Sequence, residues 1–132
     1  MVDRPLQRIL HVEDDADIRT IAKLTLEAIG GFQVESCESG PEAIKRIGTF
    51  KPDLLLLDVM MPGMDGPMTL AELRKIPEGV DTPAIFMTAK AQAHEIAKFR
   101  ELGAIDVVTK PFDPQTLCDH LKGIWRNLAE MK

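Results

Sequence analysis

The chain is poor in cysteine: only Cys37 and Cys118 occur in 132 residues. They fit no metal-ligand spacing and are too few for a disulfide framework, so both are expected to be free thiols in a reducing compartment. Long apolar runs are also missing. Nothing approaches the roughly 20 residues that a membrane-spanning helix needs. Met1-Val2-Asp3-Arg4-Pro5 puts an acid and a proline where the apolar run of a signal peptide would begin. A cytoplasmic location with no membrane contact is the expectation. Positive charge is in deficit, with 16 Lys and Arg against 21 Asp and Glu and a net charge of −5. Broad, non-specific nucleic-acid binding needs a cationic surface, and this balance argues against it. Low-complexity tracts, long charge blocks and linkers are absent as well, which predicts one domain over 1–132 with its core at about 6–129. With 45% hydrophobic and 28% charged residues, the composition is that of an ordinary soluble globular chain. The length suffices for one good core.

Five short segments rich in branched aliphatic residues recur along the chain: Arg8–Val12, Phe32–Ser36, Asp53–Leu57, Ala84–Met87 and Ile105–Val108. The third is unbroken Leu after its aspartate, as expected of a strand covered on both faces. Helical patterns fill the gaps. Ile18, Ile21, Ala22, Leu26 and Ile29 form the first stripe, closed by Gly30-Gly31. Pro41–Ile47 and Pro67–Ile76 each begin with a proline suited to a first turn. His94–Leu102 is closed by Gly103, and Leu117, Leu121, Ile124 and Leu128 stripe the last helix. Strand alternating with helix five times predicts a doubly wound α/β fold with helices on both faces of a parallel sheet. Five strands fit the order 2-1-3-4-5 with five helices, the flavodoxin-like arrangement.

Ligands in such sheets bind beyond the carboxyl ends of the strands, where the strand order reverses. Glu13, Asp14 and Asp15 follow strand 1, Asp58 follows strand 3, Thr88 and Ala89 follow strand 4, and Lys110 with Pro111 follows strand 5. Strands 1 and 3 are neighbours in the predicted order, so Glu13, Asp14 and Asp58 should converge. Two like charges about 4 Å apart repel by roughly 4 kcal/mol at an effective dielectric near 20. A hard divalent cation removes that cost, and Mg²⁺ prefers one or two carboxylates with waters and phosphate oxygens. Carboxylates, a hydroxyl and a lysine at one sheet edge suit phosphoryl chemistry: a carboxylate attacks, and metal, lysine and hydroxyl offset the developing charge.

Ile9-Leu-His-Val-Glu-Asp-Asp15, Asp53-Leu-Leu-Leu-Leu-Asp-Val-Met-Met-Pro-Gly-Met-Asp-Gly66, Met87-Thr-Ala89 and Val108-Thr-Lys-Pro-Phe112 together resemble the response-regulator receiver domains of two-component systems, in order and at the right separations. Each piece alone is weak. The resemblance implies a phosphorylation-dependent signalling switch, not a conventional enzyme, with Asp58 as phosphoacceptor. It implies Mg²⁺ held by Glu13, Asp14, Asp58 and the backbone carbonyl of Met60. Thr88 takes the place of the switch hydroxyl, assisted by the Ala89 backbone amide, and Lys110 that of the lysine paired with a phosphoryl oxygen. The Lys110–Pro111 peptide is expected to be cis. The implied partners are a sensor histidine kinase or histidine phosphotransfer protein upstream and a protein target met through helix 4, strand 5 and helix 5. One departure stands out: the family usually has Tyr or Phe three residues before the lysine, and this chain has Val107. An aromatic readout is then not expected, and signal transfer falls to the backbone after strand 4 and to helix 4. The last helix ends without a linker, which favours a stand-alone regulator over an excised piece.

Plainer readings stand beside these. Asp15 is expected to be a helix cap, since an acid before a helix suits its dipole. Thr88 as a helix cap and Lys110 as a solvated side chain are the ordinary alternatives. Met61, Met64 and Met68 are more often gap-fillers than a recognition surface. His11 reads as a tolerated strand residue, His94 and His120 as solvent-facing, and Trp125 either as peripheral core or as surface. A flavin carrier would need hydroxyls and glycines after strand 1, where Glu-Asp-Asp would repel a phosphate. Neither G-x-x-x-x-G-K-[ST] nor G-x-G-x-x-G occurs. An aspartyl-phosphate phosphatase would want an acid at position 60, which is Met. The remaining rival is a degenerate receiver acting as a constitutive protein-binding module.

Overall fold

The computed structural model describes residues 4–130; Met1-Val2-Asp3 and the last two residues lie outside the described residues. Ten elements alternate along the chain: β1 (Arg8–Val12), α1 (Ala16–Ala28), β2 (Gln33–Cys37), α2 (Gly40–Phe50), β3 (Leu54–Asp58), α3 (Gly66–Leu73), β4 (Ala84–Thr88), α4 (Ala93–Glu101), β5 (Asp106–Thr109) and α5 (Pro114–Glu130). All strand pairs are parallel, in the order β2-β1-β3-β4-β5. This is the fold the alternation of patterns predicts.

The sheet is buried on both faces, and strand side chains divide between two cores. Leu10, Leu55, Leu57, Phe86 and Val107 pack with Ala43 and Ile47 of α2, Leu70 and Leu73 of α3, and Phe99 of α4. Ile9, Leu54, Leu56, Ile85, Met87 and Val108 face Leu26 of α1 and Leu117, Leu121 and Trp125 of α5. Central β3 is buried along its whole length, which is why its sequence is continuous leucine. Helix starts follow local chemistry. The Asp15 side chain accepts from the Asp17 and Ile18 amides, Ser39 from that of Glu42, and Asp65 from that of Met68. Asp15 is therefore the expected cap.

The stripe predicted for α1 is corrected. Ala22, Thr25 and Leu26 are the residues buried against the sheet, whereas Ile21 and Ile29 are exposed. α1 carries more apolar side chains than the sheet can cover, and 3.6-residue periodicity does not say which of two adjacent stripes turns inward. The Trp125 ambiguity resolves towards the core: the ring is buried and its Nε1 donates to the Arg4 carbonyl at 2.6 Å. His94 and His120 are exposed, and His120 Nε2 lies 3.1 Å from an Asp106 carboxylate oxygen. Met61 is buried, while Met68 is half exposed. Both cysteines are free and buried.

Candidate functional site

Register brings the acids together. Val12 of β1 lies opposite Leu57 of β3, so the residues that follow them, Glu13 just past β1 and Asp58 at the end of β3, emerge at the same sheet edge. Asp58 is the last residue of β3 rather than the first beyond it. Carboxylate oxygens of Glu13, Asp14 and Asp58 all lie within 4.8 Å of one another, with Glu13 and Asp58 buried and Asp14 exposed. Thr88 of β4 lies opposite Thr109 of β5, and the Lys110 amide donates to the Thr88 carbonyl at 2.8 Å. This carries Lys110 over the carboxylates. Its Nζ is 3.0 Å from Asp58 Oδ1 and 3.2 Å from Glu13 Oε1, with the side chain only 18% exposed. The Lys110–Pro111 peptide is cis.

The electrostatics follow from this crowding. Burial, and then the Asp58 charge, push Glu13 up to about 7, against the opposing pull of the Asp15 amide and of Lys110. Burial would lower the Lys110 ammonium, but its hydrogen bond to Asp58 and the charges of Asp58 and Glu13 outweigh that, so its pKa is raised. Of the three clustered carboxylates, Asp58 and Glu13 contact the Lys110 ammonium. Oxygen donors with surplus negative charge are the donor set that hard divalent cations take, so these residues can hold a metal ion.

The other residues singled out from the sequence lie in or just beyond β3, β4 and β5. Thr88 is buried at the end of β4, and its Oγ1 accepts from the Lys90 amide at 3.3 Å. It does not cap α4, whose N-cap is Gln92. Ala89 is exposed in the loop after β4. Met60, two residues beyond Asp58, is 77% exposed. Val107 is buried in the core that includes Phe86 and Phe99, whose rings meet edge to face at 5.4 Å.

Two contributors had no role in the sequence reading. A Cβ on Gly66 would come within 2.5 Å of the Asp58 carbonyl oxygen, and the Gly66 amide donates to the Val59 carbonyl at 2.9 Å. Glycine there lets α3 begin directly against the backbone of Asp58. Arg19 of α1 reaches back to the acidic loop, its Nη1 donating to the Glu13 carbonyl at 2.8 Å and to that of Asp14 at 3.3 Å. Gly66 could have been suspected from the Asp-Gly pair before a helical pattern; Arg19 had no comparable signal.

A five-stranded doubly wound sheet with buried carboxylates and a lysine at its reversal edge defines a receiver-type signalling module. The chain belongs to the response regulator receiver domain family, whose model matches residues 9–122. It is similar to the phosphate regulon transcriptional regulatory protein PhoB of Escherichia coli (strain K12), at 35% identity over 125 residues covering 95% of this chain and 54% of that protein. It is also 38% identical over 120 residues to the alkaline phosphatase synthesis transcriptional regulatory protein PhoP of Bacillus subtilis (strain 168), covering 91% of this chain and 49% of that protein. The chain thus spans about half the length of the curated relatives it matches. Among solved structures, the chemotaxis protein CheY4 of Vibrio cholerae superposes with a TM-score of 0.83 at 28% identity, covering 90% of this chain and 98% of that one. No helix among the described residues is long and apolar enough to cross a membrane.

Proposed function

We propose that this receiver is a phosphorylation-dependent switch in which Asp58 accepts a phosphoryl group from a phosphohistidine on a sensor histidine kinase or phosphotransfer protein. The observation that carries this reading is the buried Asp58 carboxylate 3.0 Å from the Lys110 ammonium, inside the cluster with Glu13 and Asp14. An Asp58 oxygen attacks phosphorus; the P–O bond forms as the P–N bond of the donor breaks, and its electron pair returns to the imidazole. Lys110 pairs with a phosphoryl oxygen, and the Thr88 hydroxyl and Ala89 amide donate to the others. Glu13, Asp14, Asp58 and the Met60 carbonyl would hold Mg²⁺, which when bound neutralises charge on the phosphoryl oxygens. The domain acts on itself alone, as one receiver unit over about 6–129 in the cytoplasm.

The donor must bring an imidazole to Asp58. A hollow of about 490 Å³, lined by Ile18, Ile21, Pro111 and Phe112, adjoins Lys110 and offers apolar contact to such a protein. Output runs through α4, β5 and α5 to a protein target, with phosphorylation biasing a two-state balance. With Val107 in place of the family's aromatic, that bias travels through the backbone after β4.

Incubation with acetyl phosphate and Mg²⁺ tests the reading. The intact mass should rise by one phosphoryl group in the wild type and not in Asp58→Asn. Retention of the gain by Asp58→Asn would refute the acceptor assignment. No gain from either acetyl phosphate or a cognate kinase would leave the constitutive binding module as the better account.

A further inference from the structure

The acidic loop between β1 and α1 has few anchors for the work assigned to it. Glu13 is held at several points. Its amide donates to the Cys37 carbonyl at 3.0 Å, and its carboxylate takes Lys110 on Oε1 and the Asp15 amide on Oε2. Asp14, the exposed member of the cluster, has much less. Among the described residues, the side chain that grips its backbone is Arg19, one turn into α1, whose Nη1 also binds the Glu13 carbonyl. The Arg19 amide meanwhile donates to the Asp15 carbonyl at 2.9 Å. One residue thus ties three consecutive carbonyls, those of residues 13, 14 and 15, to the first turn of α1.

We infer that Arg19 is a positioning residue for metal binding: its guanidinium fixes the backbone of Glu13 and Asp14 so that their carboxylates stay converged with Asp58. This rests on the metal-dependent reading of the site above. It also makes a prediction whose sign is unusual. Arg19 is a cation close to a proposed cation site, so as a charge alone it repels the metal, and its removal should tighten binding. As a clamp it preorganises the ligands, and its removal should loosen binding, as loss of outer-shell partners typically does by 10- to 100-fold. The structure favours the clamp, because both contacts are made to carbonyl oxygens of the ligand-bearing residues rather than to solvent.

Isothermal titration of the unphosphorylated protein with MgCl₂ separates the two. Arg19→Ala is expected to raise the Mg²⁺ dissociation constant about tenfold, with thermal melting used to confirm that the variant is folded at the titration temperature. Arg19→Lys keeps the charge but not the guanidinium that reaches both carbonyls, so it should weaken binding by severalfold, less than Arg19→Ala. An unchanged or lowered dissociation constant in folded Arg19→Ala would overturn the inference while leaving the site reading intact. If Arg19→Ala does not fold, Arg19→Lys decides alone: weakening by severalfold supports the clamp, and wild-type affinity overturns it. Absence of Mg²⁺ binding by the wild type would overturn the site reading itself, and the inference with it.

Discussion

His11 lies in β1 two residues before the acidic loop, fully buried, with neither ring nitrogen hydrogen-bonded to any described residue. Burial, and then the positive charges of Lys110 and Arg19, push its pKa from 6.5 down to about 4. The ring is therefore neutral in the fold at pH values where an unfolded chain would protonate it. Its contribution is complete above about pH 6.5 and is lost as pH falls towards 4, up to roughly 3 kcal/mol. His11→Leu removes both the unpaired nitrogens and this titration. We expect it to raise stability at pH 7 by about 1 kcal/mol and to flatten the acid decline between pH 6.5 and 4; urea midpoints across that range measure both effects. Cys37 makes a complementary case. Burial, and then the nearby Glu42 charge, push its thiol up to about 12, so almost no thiolate exists at neutral pH. Iodoacetamide at pH 8 should leave Cys37 and the likewise buried Cys118 unmodified in the native protein and alkylate both in denaturant, as intact mass would report.

Element by element, the types and order of strands and helices were legible in the sequence because period, proline position and glycine stops agreed. What periodicity missed were interactions across the chain. Asp53 reads as the first residue of strand 3, but β3 begins at Leu54 and Asp53 is a buried anchor just before it. Its carboxylate accepts from the Gln7 and Arg8 amides at 3.1 and 2.9 Å and pairs with Arg4 at 2.5 Å. This pins the segment leading into β1 against the start of β3. Burial alone would raise the Asp53 pKa, but the Arg4 hydrogen bond and the two amides outweigh it and hold the group below the usual carboxylate range. Stability from this anchor is thus present above the ordinary carboxylate pKa and is lost as pH falls through the depressed value. Asp53→Asn should cost about 1–3 kcal/mol at pH 7. Its stability deficit should shrink below pH 4, an outcome that equilibrium unfolding at pH 7 and pH 3 would distinguish from a packing defect.

For the molecule as a whole, the candidate site was readable because a topological rule gathers the ends of β1, β3, β4 and β5 on one edge, so Glu13, Asp14, Asp58, Thr88 and Lys110 could be grouped without coordinates. Arg19 could not, since its part depends on its side chain folding back from α1 onto the carbonyls of the preceding loop. The α1 stripe failed for a related reason. Ile21 counts as core by spacing, yet it is 53% exposed and lines the hollow beside Lys110 with Ile18 and Phe112. Covering an exposed isoleucine completely gains roughly 1.5–3 kcal/mol, and about half of that is still available to a partner that covers Ile21 beside the candidate site. A small donor such as acetyl phosphate needs no such contact, whereas a protein donor would cover the hollow to reach Asp58. Ile21→Glu should therefore leave the acetyl phosphate rate within about twofold of wild type. It should slow transfer from the cognate kinase by about tenfold or more, one factor of ten per 1.4 kcal/mol. Equal slowing with both donors would mean that Ile21 acts on the chemistry of the site. Unchanged transfer with both would mean that the donor approaches over a different face of the sheet edge.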